Sequence, residues 1–323
     1  MIEARINRKK FSAYAMDIES HNDSESIAKQ ETSIWLGCFI NDENKVEDES
    51  SYFYSIEEFL SRLEDLTRPK RKENGSRAIQ NIAVYIYNLS FEWSFILPVL
   101  LRLGFTFSET INKDSEMVYN SVSTKSCSSV WEVNLKFSKK NGFIKFRDLA
   151  KIFGGGLGKV AKAFNLPTQK GEIDYRLNRL HNYTITKEEK EYCFKDTRII
   201  IDILLEMKNR EDKDFFNSMS MASYSMRKLI KRGWPRKTKP YLEYRKEYPE
   251  LGEEETRFLR EGVEGGITYA PSDYQYKTIS KPIIHIDAHR PPNAPFQRIL
   301  KPIPLWRRRV FYGRASSRSY LRL

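Results

Sequence analysis

The sequence has no long apolar run. Every strongly apolar stretch is short and interrupted, which excludes a helical membrane span. Met1 to Lys10 carries Glu3, Arg5, Arg8, Lys9 and Lys10 without an apolar segment, so no secretory leader is expected and the expected compartment is the cytoplasm. Cysteine is scarce: Cys38, Cys127 and Cys193 are odd in number and lack metal-like spacing. That excludes a disulfide framework and a zinc module, and leaves three packing residues. No internal repeat is present. The phosphate-binding loops are missing too. Gly154-Gly155-Gly156-Leu157-Gly158-Lys159 has Phe153 where a Walker loop needs Gly and Val160 where it needs Ser or Thr, and Lys159 takes the last Gly position of a dinucleotide fingerprint.

What is present is a chain of 323 residues, 40% apolar and 13% aromatic, enough for a filled core in one large or two ordinary domains. Its net charge of +12 is unevenly placed. Residues 290–323 hold eight Arg, one Lys and no acid, which leaves the rest nearly balanced, so charge alone does not identify a nucleic-acid binder.

Alternating strand-like and helix-like segments indicate an α/β layered domain at the N-terminal end. Phe11 to Ile18 reads as a buried strand, Ile34 to Ile40 as its partner and Ile82 to Tyr87 as a third strand. The third strand runs into Asn88-Leu89-Ser90, after which Phe91 to Leu103 reads as a helix stopped by Gly104. Trp131 to Phe137 alternates as a half-buried strand, Asn141-Gly142 supplies a hairpin turn, and Phe143 to Phe146 returns. A long helix is expected from a Thr186 cap through Met207. A domain boundary is expected near 205–215, giving divisions at 1–207, 208–289 and 290–323.

Three patterns bear on chemistry. In Asp17-Ile18-Glu19 the acids share a strand face, and two facing carboxylates repel unless a hard cation such as Mg²⁺ or Mn²⁺ neutralises them; a solvated strand end is the plain alternative. Glu92 falls in the first turn of a helix, where the dipole favours an acid with or without a function. Tyr192 and Asp196 are one turn apart on one helix face, which is also compatible with a polar surface.

The order of these patterns, D-x-E on a first strand, N-x-x-F-acid after a later strand and Y-x-x-x-D on a closing helix, resembles the exonuclease domain of family B DNA polymerases. The protein-primed branch of phages, linear plasmids and related viruses is the most similar. Lys170-Gly171-Glu172-Ile173-Asp174-Tyr175 resembles that family's lysine-containing segment. The resemblance implies a ribonuclease-H-like fold, a mixed five-stranded sheet flanked by helices, and phosphodiester hydrolysis with two Mg²⁺ or Mn²⁺ ions. It implies Asp17, Glu19 and Asp196 as metal ligands, with Glu92 supporting the second ion. Tyr192 would orient water, Lys170 would stabilise charge, and Asn88 and Phe91 would contact a single-stranded DNA 3′ end. The family's second motif usually ends in Asp, so Glu92 is a departure. The nuclease subtype with histidine five residues before the last acid is not matched, because Glu191 stands there.

Further on, Gly262 to Tyr269, with Gly265 and Gly266, resembles the segment joining exonuclease to polymerase and contacting template. Ile283 to His289 resembles the strand of the first polymerase motif, with Asp287 as its metal-binding acid. From Arg290 the resemblance stops and five prolines fall within fourteen residues. The expectation is a shifted reading frame, with a DNA-binding basic arm as rival and no polymerisation by this chain. The family implies a priming terminal protein as a partner of the full-length polymerase. A catalytically silent DNA-binding scaffold and a stand-alone RNA or DNA exonuclease remain open.

Overall fold

The computed structural model describes residues 1–21, 32–71, 75–124, 129–171, 173–174, 179, 183–233, 246 and 252–262. The strands are β1 (Glu3–Ile6), β2 (Lys9–Ser20), β3 (Ile34–Ile40), β4 (Tyr52–Phe53), β5 (Lys70–Arg71), β6 (Arg77–Ala78), β7 (Ile82–Ile86), β8 (Thr106–Phe107), β9 (Val118–Ser123), β10 (Val130–Lys136) and β11 (Ile144–Asp148). The helices are α1 (Ile56–Thr67), α2 (Leu89–Arg102), α3 (Ala150–Phe153), α4 (Leu157–Ala163), α5 (Lys187–Asn209), α6 (Met221–Gly233) and α7 (Glu253–Gly262). By compactness the chain divides into Met1–Glu250 and Leu251–Leu323. In the second unit, α7 opens on three glutamates, and the Gly252 N–H donates to Glu255 Oε2 (3.0 Å).

In the first unit one mixed sheet runs β4-β3-β2-β7-β11-β10-β9-β8, with β1 also paired to β2. It has nine strands where the resemblance implied five, because the short edge strands β1, β4 and β8, together with β9, extend the centre. β2, β7 and β11 are parallel, while β3 and β10 flank them antiparallel. β2 shows why this sequence makes a central strand. Phe11, Ala13 and Ala15 enter one core and Tyr14, Met16 and Ile18 the other, so a period of two serves a sheet covered on both faces.

On one face α1 and α2 pack Phe59, Leu63, Trp93 and Ile96 against Val84, Ile86 and Phe146. On the other, α5 packs Cys193, Ile199, Ile200 and Ile203 against Ala13, Ala15, Cys38 and Tyr85. Ile199 to Leu204 are buried without interruption, as in a helix enclosed on most sides. Cys38 and Cys193 are fully buried packing residues; Cys127 lies outside the described residues. Thr186 caps α5, as expected, through a capping box with Glu189, and the helix runs to Asn209. Beyond it Phe215 and Phe216 join the same core, held by Arg147, whose Nη1 and Nη2 donate to the carbonyls of Phe216 (2.6 Å) and Ser218 (3.0 Å).

The hairpin turn expected at Asn141-Gly142 is not a two-residue turn. β10 and β11 pair antiparallel, but seven residues, 137–143, connect them. Buried Asn141 donates from Nδ2 to the Glu64 carbonyl (3.0 Å) and Thr67 Oγ1 (3.1 Å), and the Gly142 N–H donates to the Thr67 carbonyl (2.9 Å). A Cβ on Gly142 would lie 2.0 Å from the Gln80 carbonyl oxygen, so the glycine serves a close approach between backbones. The glycine cluster leads into α4, with Gly154 and Gly155 at φ +64° and +76°.

Candidate active site

The carboxyl ends of the parallel strands meet at one edge, the usual place for a crevice in an open α/β sheet. β2 pairs with β7 only as far as Ala15 opposite Tyr85, so Asp17 and Glu19 project beyond the point where β7 has turned into α2. By alternation both acids lie on the α5 face, while Ile18 packs under α2. α5 presents Asp196 there, and the ligand oxygens of Asp17, Glu19 and Asp196 lie within 4.8 Å of one another.

Crowding these acids in a buried place favours the protonated form of two of them, Asp17 and Glu19. Burial, the Asp196 carboxylate and Lys170's opposing charge together leave Asp17 pushed up to about 7. Glu19, 8% exposed, is pushed up to about 9 by burial, then by the charges of Asp17 and Asp196, with Lys170 and Arg179 opposing. Lys170 Nζ lies 2.9 Å from Asp196 Oδ2, whereas Asp196 Oδ1 is buried without a hydrogen-bond partner among the described residues. Tyr192, one turn earlier on α5, is buried beneath Lys170, whose Nζ is 5.9 Å from its ring centroid. A Cβ on Gly171 would come within 3.2 Å of Tyr192 Cδ2, so this glycine lets the lysine segment lie close on the tyrosine.

Glu92 is not one of the three clustered acids, yet it is 2% exposed at the start of α2 and its Oε2 has no hydrogen-bond partner among the described residues. Burial first, then the Asp17 charge, drive its carboxyl well above the ordinary range, with Asp148 and Glu19 adding. A solvated helix-capping acid is therefore excluded. Asn88 and Phe91 flank it on the exposed side, Phe91 40% exposed and edge-on to Phe95 at 5.2 Å. Gly265, Gly266 and Asp287, as well as Glu172 and Tyr175, lie outside the described residues.

Two residues escaped the sequence reading. Asp148, at the end of β11, is buried and accepts the N–H groups of Asn88 (3.0 Å) and Ala150 (2.8 Å) on Oδ1. It holds Asn88 in a left-handed conformation (φ 81°, ψ 54°) and caps α2, which has no side-chain cap of its own. Arg179 stacks 4.4 Å over Trp35 and donates from Nε to Glu189 Oε1 (2.7 Å), tying the segment before α5 to the capping box of that helix. What each does across the fold has no local signal: Asp148 reaches Asn88 across 60 positions, and Arg179 meets Trp35 across 144.

No helix among the described residues is long and apolar enough to cross a membrane. No protein-family model matches the chain. The DNA polymerase of Bacillus phage Nf is 27% identical over 235 residues, 72% of this chain and 38% of its own length. The DNA polymerase of Bacillus phage phi29 is 24% identical over 271 residues, 81% and 41% of the two chains. Among solved structures, phi29 DNA polymerase complexed with single-stranded DNA matches with a TM-score of 0.60 at 24% identity, over 81% of this chain and 41% of that one. The complex with primer-template DNA matches at 0.61 and 23%, over 82% and 41%. The chain spans about two fifths of the length of these relatives. Its homologues are phi29-type phage DNA polymerases, of the protein-primed family B, and its mixed α/β architecture is that of their N-terminal part.

Proposed function

We propose that the chain carries a two-metal 3′–5′ exonuclease acting on single-stranded DNA ends, as the N-terminal part of a DNA-directed DNA polymerase. The observation that carries this reading is the convergence of Asp17, Glu19 and Asp196, 179 residues apart at the extremes, to within 4.8 Å. The donor set suits hard divalent cations: only carboxylate oxygens, two of them, Glu92 Oε2 and Asp196 Oδ1, buried without a hydrogen bond among the described residues. Like charges at this spacing are costly unless a cation balances them.

In this reading Asp17, Glu19 and Asp196 would hold the ions, with Glu92 supporting the second. A bound pair of Mg²⁺ or Mn²⁺ activates water at neutral pH and neutralises charge on the phosphodiester. Tyr192 would orient the attacking water, and Lys170, which pairs with Asp196, would place positive charge beside the phosphate. Asn88 and Phe91, exposed on the rim, receive the terminal nucleotides, Phe91 offering a ring face for stacking. The phi29 structures with single-stranded and primer-template DNA support DNA as the polymer; a priming terminal protein would be a partner of the full-length polymerase.

A second reading, a silent DNA-binding scaffold, is favoured by one observation: Glu92 stands outside the acid trio. Shortening of a 5′-labelled single-stranded oligonucleotide with Mg²⁺ or with EDTA separates the two. The exonuclease reading expects metal-dependent trimming from the 3′ end that Asp17→Ala abolishes; equal trimming by that variant, or none by the wild type, overturns it.

A further inference from the structure

A second recess lies against the helix that begins beside the acids. A cleft of about 620 Å³ runs between α2 and the β8–β9 edge of the sheet, within the range of roughly 300–1,000 Å³ usual for small-ligand sites. Three rings shape it. Trp93 and Tyr119 have centroids 5.8 Å apart, and Phe107 stands edge-on to Tyr119, also at 5.8 Å, with 56% of its surface exposed. Serine hydroxyls from Ser90, Ser94 and Ser121 line the walls, and among the described residues no charged side chain does. Ser90 Oγ accepts from the Val130 N–H (2.9 Å), which leaves its proton to donate. Ser94 Oγ donates to the Phe91 carbonyl (2.6 Å), which leaves its lone pairs to accept.

We propose that this cleft holds an unstacked nucleobase of the same single strand whose 3′ end reaches the acids, several nucleotides upstream of that end. The chemistry selects the base over the phosphate. Ring faces and neutral hydroxyls suit a planar heteroaromatic group with donor and acceptor edges, and the described lining residues include no cation to pair with a phosphate. The geometry selects the same strand. Ser90, Ser94 and Leu97 form one stripe of α2, Phe91 and Phe95 the adjacent stripe, and Ser90 to Leu97 covers about 10 Å of helix. A strand passing Phe91 meets the cleft without leaving the helix. Stacking tolerates every base, as a site for arbitrary 3′ ends requires. The proposal rests on the exonuclease reading for the direction of the strand, but not on catalysis.

The test measures binding of a fluorescent oligothymidylate of about 12 nucleotides and of a dinucleotide to the full chain in EDTA. Phe107→Ala and Tyr119→Ala are expected to weaken the long oligonucleotide about tenfold and leave the dinucleotide unchanged, while Phe107→Trp and the control Val122→Ala bind like the wild type. Wild-type binding of the long oligonucleotide by both ring-deleting variants overturns the proposal, as does equal loss in Phe107→Trp. Mg²⁺-dependent trimming is followed in parallel. Trimming by the wild type with normal binding by the variants sinks the cleft alone; ring-dependent binding without trimming sinks the nuclease alone.

Discussion

Lys170 Nζ lies 2.9 Å from Asp196 Oδ2 and 5.9 Å from the centre of the Tyr192 ring, so a lysine outside α5 reaches both proposed site residues of that helix. It also opposes the upward shifts of Asp17 and Glu19. Lys170→Ala is expected to slow trimming at least about tenfold. Its effect on melting temperature should be small, because the lysine side chain is 42% exposed. A trimming assay and a thermal melt check both; full activity in the variant removes Lys170 from the site.

The raised carboxyls make stability depend on pH in a stated direction. Asp17 at about 7 and Glu19 at about 9 retain protons that the unfolded chain releases near pH 4, so the folded state is favoured at low pH and loses stability as pH climbs through those values. Divalent cations bind the deprotonated acids and act against that loss. In EDTA the melting temperature is expected to be lower at about pH 8.5 than at about pH 5.5. Added Mg²⁺ should raise it more at the higher pH. A melt indifferent to Mg²⁺ at the higher pH contradicts a cation site.

Asp17→Asn removes one charge from the acid trio above about pH 7, and Glu92→Gln replaces the neighbouring buried acid by an uncharged amide, each with little change in shape. Both are expected to raise the melting temperature in EDTA, by relieving burial of like charges, and to lower trimming, Asp17→Asn by about a hundredfold or more. Concurrent loss of stability and activity would mean that the acids serve packing.

Much of this site was legible because β2 announces itself: alternating residues to Ile18 put Asp17 and Glu19 together on one face. The Thr186 cap likewise marked the start of α5, and the four-residue spacing put Tyr192 and Asp196 on one face. What stayed hidden depends on long-range closure. The extra strands are two to six residues long, β8 being only Thr106–Phe107, too short for periodicity. Asn141-Gly142 carries a strong local turn signal that docking against Thr67 and Gln80 overrides.

Asp148 supplies a further expectation. Asp148→Ala leaves the Asn88 and Ala150 N–H groups without their acceptor and is expected to cost about 1–2 kcal/mol. Asp148→Asn keeps an amide oxygen at the same place and should retain most of that stability. Denaturant titration of the two variants measures the difference; equal losses would show that the charge, rather than the acceptor, matters.

The location of Asp17 on β2 has a kinetic corollary. That strand pairs with β7 from Ser12 to Ala15 and with β3 from Ala15 to Ser20, and helical layers lie above and below, so its amides belong to the segment that exchanges with solvent only when the whole domain opens. Heat or urea should then inactivate the molecule in a single step with global denaturation, with no partly frayed, inactive species preceding it.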